Sequence, residues 1–170
     1  MTIRILLVDD HTVVRKGLRT FLSYDPELEV VGEAADGAQA LSKARELTPD
    51  VVLMDLLMPG MDGIAATAAI RRELPDTEVL ALTSVLEDAS VVGAVRAGAI
   101  GYLLKDTQAE ALCQAIKAAA AGQVPLTPRA AARLMQAIIT PESPEALTER
   151  ETEYCACSLR ATPTSKSLTT

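Results

Sequence analysis

Five short apolar runs, each ending abruptly and each followed by a stretch of helical periodicity, constrain this chain more than anything else in it. Ile3–Val8, Leu28–Glu33, Val51–Met54, Val79–Leu82 and Gly101–Leu104 read as strands. Between and after them, Thr12–Ser23, Gly37–Leu47, a segment ending near Glu73, Glu87–Ala97 and Gln108–Ala121 read as helices. Asp25-Pro26, Thr48-Pro49 and Pro75 stop three of these helices, and Gly98 and Gly122 end the other two. A strict strand–helix alternation of this kind predicts an α/β fold with a doubly wound, five-stranded parallel sheet. The strands are almost uninterruptedly apolar because helices cover both faces of such a sheet.

Composition narrows the function. Sixteen basic and 23 acidic residues among 170 give a net charge of −7, the wrong sign for a chain that sheathes nucleic acid. Three cysteines, an odd number, argue against a disulfide framework, and none has zinc-site spacing with the single histidine. Aromatic residues make up 2% of the chain, too few for base-stacking platforms. No apolar run reaches membrane-spanning length, and the N-terminus lacks a basic-then-apolar signal. These features predict a soluble, cytoplasmic protein without a membrane partner.

The pattern changes after Gly122. Residues 1–122 form the expected sheet domain and 123–146 a linker, with a short helix over 128–139 and the Pro/Glu/Ser run Thr140–Glu145. Residues 147–170 begin with Leu147-Thr148-Glu149-Arg150-Glu151, where Thr148 and Glu151 have capping-box spacing. Beyond Tyr154 apolar periodicity is lost, and the Ser/Thr-rich tail reads as disordered.

In an open parallel sheet, ligands bind at the carboxyl ends of the strands. Asp9, Asp10, Asp55, Thr83 and Lys105 stand at those ends. Taken singly, Asp10 and Thr83 have the bland reading of helix caps and Lys105 that of a solvated charge. Taken together, three gathered carboxylates call for a cation, and an oxygen-only donor set favours a hard one, Mg²⁺. With the Lys105 ammonium and the Thr83 hydroxyl, they make a cradle for a phosphoryl group. No base is placed to activate a serine or cysteine, so the nucleophile would be a carboxylate. His11, on the rim, is read as a loop or cap residue rather than a ligand, and Cys113 as a packing residue.

Asp9-Asp10, Asp55 within MDLLMPGMDG, Thr83-Ser84 and Lys105 resemble the receiver domain of two-component response regulators, a flavodoxin-like fold. The stretch Gly101-Tyr102-Leu103-Leu104-Lys105-Asp106, with no proline after the lysine, is similar to the NarL/FixJ branch. Leu147–Glu151 resembles the opening of that branch's LuxR-type helix-turn-helix. The resemblance implies that Asp55 takes a phosphoryl group from a sensor histidine kinase. It implies that Asp9, Asp10, Asp55 and the Leu57 carbonyl hold Mg²⁺. Lys105 and Thr83 would bind phosphoryl oxygens, and Thr83 and Tyr102 would form the switch. It also implies dimerisation on phosphorylation, with DNA as a partner only of a full-length form. Leu57 and Val85, two residues after Asp55 and Thr83, are apolar and cannot align a hydrolytic water, which predicts a long-lived acyl phosphate.

The tail departs from this pattern, because YCACSLRATPTSKSLTT has no recognition helix. One extra G after the Glu153 codon, with codons allowed by degeneracy, converts the same nucleotides to VLRLLAQGNANKQIAHD. That string reads as a helix, a Gly-Asn turn and a second helix start. The expectation is therefore an out-of-frame tail and an incomplete DNA-reading domain, against the alternatives of a natural divergent tail or a deliberate truncation. Sequencing the gene at the Glu153 codon tests it, and an intact frame would refute it.

The function expected is a signalling receiver, not an enzyme. One rival is a haloacid-dehalogenase-like Mg²⁺ phosphatase, which needs an acid two residues after the nucleophile, where this chain has Leu57. The other is a phosphate-independent interaction domain, against which the complete acidic cluster stands.

Overall fold

A computed structural model describes residues 2–84 and 88–124. Val85, the 128–139 helix, the Leu147–Glu151 segment, Cys155, Cys157 and the rest of the tail lie outside the described residues.

The ten elements alternate as the sequence predicts: β1 (Ile3–Val8), α1 (Thr12–Leu22), β2 (Leu28–Ala34), α2 (Gly37–Leu47), β3 (Val51–Asp55), α3 (Gly63–Glu73), β4 (Glu78–Thr83), α4 (Asp88–Arg96), β5 (Gly101–Leu104) and α5 (Ala109–Ala120). All strand pairs are parallel, in the order β2-β1-β3-β4-β5. The order reverses between β1 and β3, so the crevice for a ligand opens beyond the ends of those two strands.

Period-two alternation sends successive strand residues to opposite faces. Ile5, Leu7, Val51, Leu53, Leu80, Leu82 and Leu103 pack with Leu22 of α1 and Leu112 and Ile116 of α5. Leu6, Val8, Val52, Met54 and Val79 pack with Ala40 and Ala44 of α2 and Ala66 and Ile70 of α3. The remainder of that second face, Ala81 and Tyr102, meets Ala94 of α4, with Leu56 and Ala99 alongside. Among the described residues no helix is long and apolar enough to cross a membrane.

Local chemistry sets the helix ends. Asp36 caps α2 by accepting from the Gln39 N–H at 2.8 Å, and Asp62 caps α3 by accepting from Ala65 at 2.7 Å. Gly98 follows α4 at φ 99°, a conformation that glycine adopts without a Cβ penalty. Gly63 is required for another reason. A Cβ there would lie 2.0 Å from the Asp55 carbonyl oxygen, so only glycine lets α3 start so close to the end of β3.

Candidate functional site

Burial and pairing at the strand ends gather the predicted residues. Asp55 is the last residue of β3 and Asp9 follows β1; they are 2% and 1% exposed, beyond neighbouring strands at the topological switch. β5 delivers Lys105, whose N–H donates to the Thr83 carbonyl at 2.9 Å and so continues the β4–β5 pairing by one step. Thr83, the buried last residue of β4, therefore lies beside the lysine backbone.

The Lys105 ammonium donates to Asp9 Oδ2 and Asp55 Oδ2, each at 2.7 Å. Burial pulls the lysine pKa down, and its hydrogen bonds to Asp55 and Asp9 more than reverse this, leaving it above its ordinary value. The remaining oxygens are held locally. Asp55 Oδ1 accepts from the Leu57 N–H at 3.2 Å, and Asp9 Oδ1 accepts from the His11 N–H at 2.8 Å. Leu57 turns its side chain outward, 56% exposed on the rim.

Asp10 does not cap α1. That position belongs to His11, whose side chain makes no capping hydrogen bond. Asp10 Oδ1 is instead buried without a hydrogen-bond partner. Tyr102 is buried, its ring within the cluster under α4, and Cys113 is a buried free thiol packed on the α5 side of the core.

Two residues near the site were not assigned a part in it from sequence. His11 Nδ1 lies 2.7 Å from Asp10 Oδ1 and 3.3 Å from Asp9 Oδ1. Arg15, one turn into α1, donates from Nη1 to the Asp9 carbonyl at 2.5 Å, and its Nε lies 3.4 Å from Glu33 Oε2. A histidine directly after an acidic pair, with an arginine four residues on, is the signal that could have flagged both.

The donor set suits a hard divalent cation. Asp9, Asp10 and Asp55 each offer a carboxylate oxygen and His11 a ring nitrogen, all four atoms within 4.8 Å of one another. Carboxylates gathered this closely repel one another, and that repulsion is what asks for a cation.

Comparison with known proteins agrees with this geometry. Residues 5–117 match the family described as response regulator receiver domain. The chain is 45% identical over 157 residues to the transcriptional regulatory protein LiaR of Bacillus subtilis, an alignment covering 89% of this chain and 74% of LiaR. It is 44% identical over 154 residues to the response regulator protein VraR of Staphylococcus aureus, covering 90% of this chain and 74% of VraR. Among solved structures it is similar to a LuxR-family two-component response regulator from Aurantimonas sp. SI85-9A1. That likeness has a TM-score of 0.75 and 40% identity, and it covers 82% of this chain and all of the other.

Proposed function

Because the chain belongs to the response regulator receiver family, in its NarL/FixJ branch, we propose that Asp55 accepts a phosphoryl group from a sensor histidine kinase and that the resulting acyl phosphate switches a transcriptional output. The observation that carries this reading is the Lys105 ammonium, bridging two buried carboxylates at 2.7 Å each across the switch point of the sheet.

Asp55 is the nucleophile. Its carboxylate forms an O–P bond as the P–N bond of a phosphohistidine breaks, and the bonding pair leaves with the imidazole. Lys105 exchanges a carboxylate oxygen for a phosphoryl oxygen without leaving the pocket, and the Thr83 hydroxyl donates to another. Asp9, Asp10 and Asp55, with the Leu57 carbonyl, are the residues that would hold Mg²⁺; when bound, the ion neutralises the charge gathered on the phosphoryl oxygens. Thr83 and Tyr102 then pass the change to the surface of α4 and β5.

Residues 1–122 constitute the receiver in this reading, and residues beyond 146 belong to the effector. A homodimer formed on phosphorylation, and DNA as partner of a form with a complete effector, belong to the same proposal, as does residence in the cytoplasm alongside the kinase's catalytic domain. The relatives are regulators by name, and Leu57 stands where a phosphatase would need an acid, so the chain is read as a signalling module rather than an enzyme that turns over.

Acetyl phosphate with Mg²⁺, read by intact-protein mass, tests the assignment. The full chain gains one phosphoryl group, while Asp55→Asn and EDTA-treated protein gain none. A gain that persists in Asp55→Asn would refute the role of Asp55. In the same assay Leu57→Asn shortens the acyl phosphate lifetime, because its amide can orient water in line with phosphorus; an unchanged decay rate would refute that role of the exposed leucine.

A further inference from the structure

Asp9 is held at each of its polar groups. Its N–H donates to the Ala34 carbonyl at 3.2 Å, its Oδ1 accepts from the His11 N–H at 2.8 Å and its Oδ2 accepts from Lys105 at 2.7 Å. The carbonyl needs a partner from elsewhere. The pairing of β1 ends at Val8, and the carbonyl that accepts the first bond of α1 is that of His11, so neither element supplies Asp9 with a donor. Arg15 does so, from Nη1 at 2.5 Å, while its Nη2 donates to Thr12 Oγ1 at 3.3 Å.

The guanidinium is itself braced. Its Nε lies 3.4 Å from Glu33 Oε2, and Glu33 Oε1 accepts from Arg19 Nη1 at 2.9 Å. Glu33 stands opposite Leu7 of β1 in the sheet, and the Lys43 ammonium of α2 donates to its carbonyl. Arg15 is 13% exposed, so its charge is largely withdrawn from solvent and turned onto these partners. An arginine suits this position because its donors are spread over a rigid plane. It reaches the carbonyl, the hydroxyl and the carboxylate together, which the point charge of a lysine does not.

We propose that Arg15 is a positioning residue: braced by Glu33, it holds the Asp9 backbone so that the Asp9 carboxylate keeps its place when Lys105 moves to the phosphoryl group. The inference rests on the receiver reading of the pocket, in which Lys105 gives up a carboxylate oxygen during transfer. Asp9 then loses one of its four restraints. Of the three that remain, two are made by backbone groups of Ala34 and His11, and the Arg15 bond is made by a side chain. Groups outside the ligand set that fix a ligand's orientation carry much of a metal site's affinity.

Mg²⁺ is titrated into the isotope-labelled full chain as wild type, Arg15→Gln, Glu33→Gln and Arg19→Gln. Amide shifts of Asp10 and Asp55 are read by NMR, and urea unfolding checks that each variant is folded. Arg19→Gln is the control, because it removes the other arginine on Glu33, which bonds to that acid and not to Asp9. The expected result is a loss of about tenfold or more in Mg²⁺ affinity for Arg15→Gln. Glu33→Gln shows a smaller loss in the same direction, and Arg19→Gln binds as the wild type does. Labelling of Arg15→Gln by acetyl phosphate regains the wild-type maximal rate at saturating Mg²⁺, a split that general destabilisation does not produce. Wild-type Mg²⁺ affinity in folded Arg15→Gln, or an equal loss in Arg19→Gln, would overturn the inference and leave Arg15 as a structural ion pair. If Arg15→Gln does not fold, unaltered affinity in Glu33→Gln overturns it instead. Failure of the wild type to bind Mg²⁺ at all would overturn the receiver reading beneath it.

Discussion

Under α2 and α3 the sheet presents Leu6, Val8, Val52, Met54 and Val79, whereas under α4 the same face presents Ala81 and Tyr102. The helices answer in kind: Ile70 of α3 is fully buried on the first half, and α4 brings Ala94 to the second. A buried large aliphatic side chain contributes about 1.5–3 kcal/mol and a methyl well under half of that, so among the described side chains Ile70 contributes more than Ala94. The α4 half is also the half whose strands lead to Thr83, the last residue of β4, and Lys105, directly after β5. A pull on those two residues is felt first beside α4, at a distance from the α2–α3 half.

The comparison breaks most visibly on core truncation. Ile70→Ala should cost about 2–5 kcal/mol in urea unfolding, the usual range for a fully buried aliphatic. Ala94→Gly should cost only about 1–2 kcal/mol, one methyl plus the helix propensity of glycine. Equal losses from the two would remove the asymmetry. The smallest effect lies at the surface between α2 and α3, where Arg45 pairs with Glu73 through two hydrogen bonds of 2.6 and 2.9 Å. The Arg45 hydrogen bond holds the Glu73 carboxyl below its ordinary value of 4.5. A depressed carboxylate adds stability above its unfolded value and loses it as the pH falls through the folded one. The stability gap between wild type and Arg45→Ala should therefore be small at neutral pH and close on acidification below about pH 4.5. A gap that widens in acid would contradict the sign.

The sheet and most of the site were legible because buried parallel strands leave a strong trace. Runs such as Leu6-Leu7-Val8 and Val52-Leu53-Met54 are apolar on both faces, and the Asp that follows each is conspicuous where the sheet opens. The expected polar strand-end residues meet as anticipated, Lys105 on Asp9 and Asp55 above all. His11 was harder to read. A polar residue before a helix is usually a cap, and only the position of Asp9 and Asp10 relative to α1 sets its exposed ring against their carboxylates. Arg15 was hidden for a related reason, since its bond to the Asp9 carbonyl spans a loop whose geometry periodicity does not encode. The contrast between Ile70 and Ala94 also escapes a pattern-based reading. Val92 and Val95 suggest an ordinary amphipathic helix, whereas the residue α4 brings to the cluster with Tyr102 and Leu56 is Ala94.

Hydrogen–deuterium exchange of the full chain, with and without beryllofluoride and Mg²⁺ as a mimic of the acyl phosphate, tests the central claim most directly. The account predicts altered exchange in α4 and β5 and unchanged protection in α2, α3, β1 and β3, with no response in Asp55→Asn. A change centred on α2 and α3, or an unaltered α4–β5 segment in protein that has taken up the mimic, would contradict it.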